Sequence, residues 1–173
     1  MIESIVYTSN TGLTKRYAEM LVKETNIPVY EFQEAKEKLN KSDEIIYMGW
    51  IMAGGIKNYK KARNKFNIKA VCSVGMSKPN EKQYNEIIER HHIKENLFYL
   101  QGGFDKTELK GIYKFMMNVL EKIVRPKLEK KENKTADDLE MLDMMRNGKN
   151  CVKKENLVEL INWYNIKEAK SNG

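Results

Sequence analysis

Ser9-Asn10-Thr11-Gly12-Leu13-Thr14 places three hydroxyl side chains and a glycine between a short apolar run, Ile2 to Tyr7, and an amphipathic helical pattern. Backbone N–H groups entering a helix have no intrahelical partner, and the helix dipole favours negative charge at that end. With the hydroxyls of Ser9, Thr11 and Thr14 added, such a loop can hold a phosphate dianion without a lysine. The plainer alternative is a Ser/Thr turn that only caps the helix. The loop lacks the Gly-Lys-Ser/Thr ending of a nucleoside-triphosphate loop and the three spaced glycines of a dinucleotide fingerprint, so a monophosphate ligand fits better. Trp50-Ile51-Met52-Ala53-Gly54-Gly55 and Ser73-Val74-Gly75-Met76-Ser77 also sit at the ends of apolar runs. Trp50 there either stacks on a planar ligand or covers the sheet edge. Gly54 and Gly55 either serve a special backbone conformation or are ordinary turn glycines.

Little else in the chain can do chemistry. His91 and His92 are adjacent, do not converge on one metal, and read as a solvated helix end. Cys72 and Cys151 have no partner at C-x-x-C spacing. With no Ser-His-Asp or paired-carboxylate arrangement to argue for, any catalysis would be carried by a cofactor.

The elements that must position these loops alternate. Strands are predicted at Ile2 to Tyr7, Pro28 to Phe32, Ile45 to Met48, Ala70 to Val74 and Leu97 to Leu100. Helical spacing marks Leu13, Tyr17, Ala18, Leu21 and Val22, then Ile56, Tyr59, Ala62 and Phe66, then Glu81 to Arg90. Short strands each followed by a crossover imply an α/β fold with a parallel sheet covered on both faces, whose ligands bind beyond the carboxyl ends of the strands. After residue 101 the pattern reads as helical only. Leu109, Ile112, Tyr113, Met116, Met117, Leu120, Ile123 and Val124 make a stripe that stops or kinks near Pro126, and Thr135 is a candidate N-cap for a helix ending near Gly148. The stripe on 109–124 has three readings: packing on the fold, docking a partner, or contact with a membrane surface.

The 173 residues carry 31 Lys and Arg against 24 Asp and Glu, a net charge of +7, with a mean hydropathy of −0.66. A chain of this size can bury a core without disulfides or metal. No charged-then-apolar leader or long apolar run is present, so the expected compartment is the cytoplasm, with peripheral contact to the inner membrane face as the one variant. The basic excess alone raises nucleic-acid binding, but no basic helix with interleaved aromatics accompanies it, and no nucleic-acid partner is expected.

The first loop, Ser9 to Thr14, resembles the S/T-x-T-G-x-T phosphate loop of flavodoxins. That resemblance implies a five-stranded parallel sheet in order 2-1-3-4-5 and an FMN cofactor. The phosphate would lie on Ser9, Asn10, Thr11, Gly12, Leu13 and Thr14. The ring would lie between Trp50 to Gly55 and Ser73 to Ser77. A narrower resemblance rests on Gly49 to Gly54, Leu100-Gln101-Gly102-Gly103-Phe104-Asp105, Met116-Met117 and Glu155 to Ile161. Over nearly the whole chain these look like flavodoxin-domain proteins of anaerobic bacteria, a branch similar to menaquinone-dependent protoporphyrinogen oxidases. It implies one domain over 1–173, with a helical insertion at roughly 104–154 and a closing helix at roughly 155–165.

Two functions follow as expectations. One is an FMN electron-transfer protein serving a redox partner protein; the alternative is a flavoenzyme oxidising a small anionic substrate or passing electrons to a quinone. The chain departs from acidic flavodoxins in charge, and the loop after the fourth strand offers Met76 where an aromatic would stack. Residues 45–80 hold Lys57, Lys60, Lys61, Arg63, Lys65, Lys69 and Lys78 and no carboxylate, which accounts for the whole excess. Cations about 10 Å from a flavin would favour its anionic reduced form by roughly 0.4 kcal/mol each and favour an acidic partner.

Overall fold

β1 (Ser4–Thr8) lies between β2 (Val29–Glu31) and β3 (Glu44–Met52), and β5 (Asn67–Gly75) and β6 (Asn96–Gln101) continue the sheet beyond β3, with all four pairings parallel. The five long strands therefore run 2-1-3-4-5, as expected; a two-residue strand, β4 (Gly55–Ile56), returns antiparallel on the end of β3. This computed structural model describes residues 1–104, 107–109 and 111–171. Asp105 and the side chains of Ile112, Tyr113 and Met116, named above, lie outside the described residues.

Side-chain alternation divides the core between the two faces of the sheet. Val6, Tyr47 and Val71 point to one face, where Phe32 of α2 (Phe32–Lys38), Tyr59 and Ala62 of α3 (Tyr59–Lys65) and Ile87 of α4 (Glu81–His91) cover them. Ile5, Ile46, Met48 and Cys72 point to the other, against Tyr17, Ala18 and Leu21 of α1 (Leu13–Thr25) and Leu157 and Leu160 near the end of the chain. Burial on both faces explains why the central strands read as continuous apolar runs.

Several boundaries depart from expectation. Phe32 leaves the second strand and opens α2, where the Glu31 carboxylate accepts the Gln33 N–H at 2.8 Å and caps the helix. Ile56 belongs to β4, not to the third helix. The region after 101 is not wholly helical: β7 (Gly103–Phe104) pairs antiparallel with β8 (Lys149–Asn150), a ladder too short to leave a period in the sequence. Gly103, at φ 89°, lies so close to the Lys149 carbonyl that a Cβ has no room.

Between β7 and β8 run α5 (Gly111–Glu129), which continues through Pro126, and α6 (Ala136–Asn147). Thr135 caps α6 as expected, in a reciprocal box with Asp138. A 3-10 turn (Lys154–Leu157) leads into α7 (Val158–Ser171), which ends six residues beyond the expected closing helix. The returning chain is locked to the sheet by Asn156, whose amide donates to the Tyr17 hydroxyl at 2.5 Å and to Cys151 O at 3.0 Å, while Tyr17 donates to Gln101 O at 2.6 Å. Among the described residues no helix is long and apolar enough to cross a membrane.

Candidate functional site

The carboxyl ends of β1, β3 and β5 open into one cavity of about 430 Å³. Ser9, Asn10, Thr11, Leu13 and Thr14 line it from the first loop, Trp50, Ile51, Met52 and Ala53 from the second, and Val74, Gly75 and Met76 from the third. All twelve lie in segments that the strand pattern and the flavodoxin resemblance together name. Neither points to the remaining wall, formed by Gly103, Leu109 and the α5 side chains Phe115, Met117, Val119, Leu120 and Ile123. The apolar stripe was visible in the sequence, but the direction it faces depends on how the chain leaves β6.

At the first loop the capping alternative does not hold. Gly12 is the N-cap of α1 at φ 81°, no side chain caps the helix, and its first turn carries no acidic residue. The first amides are thus available to an anion. Ser9 Oγ is buried there with no hydrogen-bond partner. A buried hydroxyl left unsatisfied costs stability, and its place beside uncapped amides is what a phosphate-binding loop requires. Below it, Thr8 Oγ1 donates to the Tyr47 hydroxyl at 2.9 Å, which donates to Lys57 O at 2.6 Å. Burial pushes the Tyr47 phenol well above its ordinary pKa, so it remains a neutral donor that fixes the start of the loop against the turn before α3.

The second loop is a tight hairpin. Ala53 and Gly54, at φ 48° and 75°, form the two-residue turn between Met52 and Gly55, a geometry that matches strand twist. Two consecutive residues of α4 hold it. Arg90 Nη1 donates to Ala53 O at 2.5 Å, and Ile56 N–H donates to His91 Nε2 at 2.8 Å. The expectation of a solvated helix end is therefore corrected for His91: its ring also packs edge-on against Tyr59, with centroids 5.3 Å apart. Because Nε2 accepts, the ring is neutral, and burial, then Arg90 and Arg63, lower its pKa.

In the third segment Ser73 lies inside β5, fully buried, and Ser77 turns toward α4, donating to Gln83 Oε1 at 3.0 Å. With Gly12, Gly54 and Gly55 they shape the loops from behind and are absent from the cavity wall. Lys78 reaches Glu140 at 2.7 Å and Asp137 at 3.5 Å on α6, and Lys69 reaches Glu44 at 3.0 Å at the opposite end of the sheet. Lys69 and Lys78 are thus paired with carboxylates from outside the segment that clusters the cations.

Among the described residues the cavity wall carries no other reactive group. Burial raises the thiol pKa of both Cys72 and Cys151, which keeps them protonated. Among the described residues no cluster of His, Cys, Asp and Glu is placed to hold a metal ion. A hydroxyl-rich anion end, an indole and an apolar flank suit an amphipathic ligand with a phosphate at one end and a flat ring at the other. A family model described as a flavodoxin domain matches residues 4–132, a span that includes all three loops and α5. A search of curated protein sequences gives no match.

Proposed function

Since this chain belongs to the flavodoxin-domain family, we propose that it binds FMN in the cavity at the carboxyl ends of β1, β3 and β5 and acts as an electron-transfer protein. FMN bound there would supply reversible one- and two-electron redox chemistry. The chain supplies the rest. The α1 amides with Ser9, Thr11 and Thr14 hold the phosphate, Trp50 to Ala53 and Val74 to Met76 flank the ring, and Leu13, Ile51 and Val74 keep water from it. Trp50 gives an aromatic face and Met76 a polarisable thioether.

The carrying observation is the buried, unpartnered Ser9 hydroxyl beside an uncapped helix N-terminus. It predicts opposite signs for one substitution. Ser9→Ala removes an unsatisfied group and should leave the apoprotein unchanged or more stable by about 1 kcal/mol, yet weaken FMN about tenfold. Fluorescence titration and urea unfolding measure the two. Unchanged affinity, or a colourless protein that takes up no added FMN, would overturn the proposal.

One observation favours a second reading, a flavoenzyme acting on a small apolar or quinone substrate. The insertion adds Leu109 and Met117 to the cavity, apolar lining that a phosphate and ring loop do not need. Anaerobic turnover of the FMN-loaded protein with protoporphyrinogen and a menaquinone analogue separates the two readings.

A further inference from the structure

Phe115, Val119, Leu120 and Ile123 are 67%, 39%, 42% and 52% exposed, and all four line the cavity that the three loops also line. Phe115, Val119 and Ile123 recur every fourth residue, so they form one ridge of α5. Lys114, Asn118 and Lys122 are exposed too but do not line the cavity. The helix packs chiefly against α6. A ridge of large apolar side chains left wet across a gap from a polar loop marks a surface built for an occupant. A membrane surface would need the ridge turned outward, and it is turned to the loops.

We propose that the flavin ring is this occupant, so that α5 is the third wall of the FMN site. The inference rests on the FMN reading above and adds residues to it. A flat ring has two faces and an edge to cover. The second loop offers Trp50, whereas the third offers Val74, Gly75 and Met76 with no aromatic. Phe115 and its neighbours supply the apolar cover that the third loop lacks, and a ligand burying them removes four exposed large apolar side chains from water.

The test compares wild type, Phe115→Ala and the double variant Phe115→Ala/Ile123→Ala, with Lys122→Ala as control. Both apolar side chains are outside the core, so their truncation leaves folding intact. Phe115→Ala should raise the FMN Kd about tenfold and the double variant about a hundredfold, with Lys122→Ala unchanged. Iodide should reach the bound flavin more readily in both variants. Added FMN should slow hydrogen exchange along α5 in wild type and not in the double variant. Unchanged Kd with unchanged iodide access would overturn the cover while leaving FMN binding intact, and flotation with anionic vesicles would then tell a bilayer from a second apolar ligand. Failure of wild type to take up FMN would remove the underlying reading as well.

Discussion

The sheet with its flanking helices and the helical excursion after β6 treat apolar side chains differently. Ile5, Val6, Ile45, Ile46, Tyr47, Met48, Val71 and Cys72 are all fully buried, with helices on both sides. Between β7 and β8 the described buried side chains are Leu109, Leu142, Met144 and Met145, while Phe115, Val119, Leu120, Ile123 and Leu139 stay exposed. Charges do much of the joining there. Glu129 bridges Arg125 and Arg146 at 2.9 and 2.8 Å, and Lys131 meets Asp138, all at the surface where such pairs contribute little. Stability therefore resides in the sheet, and the excursion is free to serve a ligand.

Truncations on the two sides provide the strongest attempt to break this contrast. Ile46→Ala should cost about 3 kcal/mol in urea unfolding, whereas Ile123→Ala in the apoprotein should cost well under 1 kcal/mol. Equal losses would show that α5 belongs to the core. Next in size is the lock between the regions. Tyr17→Phe removes the shorter of the two hydrogen bonds to Gln101 O, leaving the Asn156 amide at 3.3 Å, and takes an acceptor from Asn156, for an expected loss of about 1–2 kcal/mol across the whole unfolding transition.

Smaller effects sharpen the same division. Thr135→Ala breaks the α6 capping box, and about 1 kcal/mol should be lost locally, seen as faster amide exchange in α6 with the strands unaffected. The smallest concerns His91, whose folded pKa lies below its ordinary value. The unfolded chain then takes up the proton more readily, so the stabilising contribution is complete above the unfolded pKa of about 6.5 and is lost as pH falls through the folded value. Tm should drop as pH falls below the unfolded pKa of about 6.5, and His91→Gln, which keeps an acceptor for Ile56 N–H, should flatten that slope. A slope unchanged by the substitution would separate the hairpin from His91.

What could be read from the residues follows from how local the signal is. The Ser9 to Thr14 loop, the five long strands and the Thr135 cap are set by neighbours in sequence, and each is found where spacing put it. Ile56 shares the period of the third helix but pairs with Ile51 because the Ala53–Gly54 turn folds it back. His91 looked solvated because its partners, Ile56 N–H and Tyr59, come from over thirty residues earlier. Phe115 fell outside the stripe read by period, yet it lines the cavity, since the facing surface of α5 is chosen by the entry of the chain at β7. The cluster of cations was legible as composition only; its ion pairs with Glu44, Asp137 and Glu140 are tertiary.

The β7–β8 ladder has a consequence for how such a chain can change over generations. Gly103 pairs with Asn150 and Phe104 with Lys149, so the excursion leaves and re-enters through one doorway, and the register of the sheet is indifferent to what lies between. Loop-closure entropy grows only logarithmically, by about 0.6 kcal/mol for each doubling of length. The segment can thus be lengthened, shortened or exchanged as a cassette. New walls can be tried over an unaltered Ser9–Thr14 loop without renegotiating the scaffold that holds it.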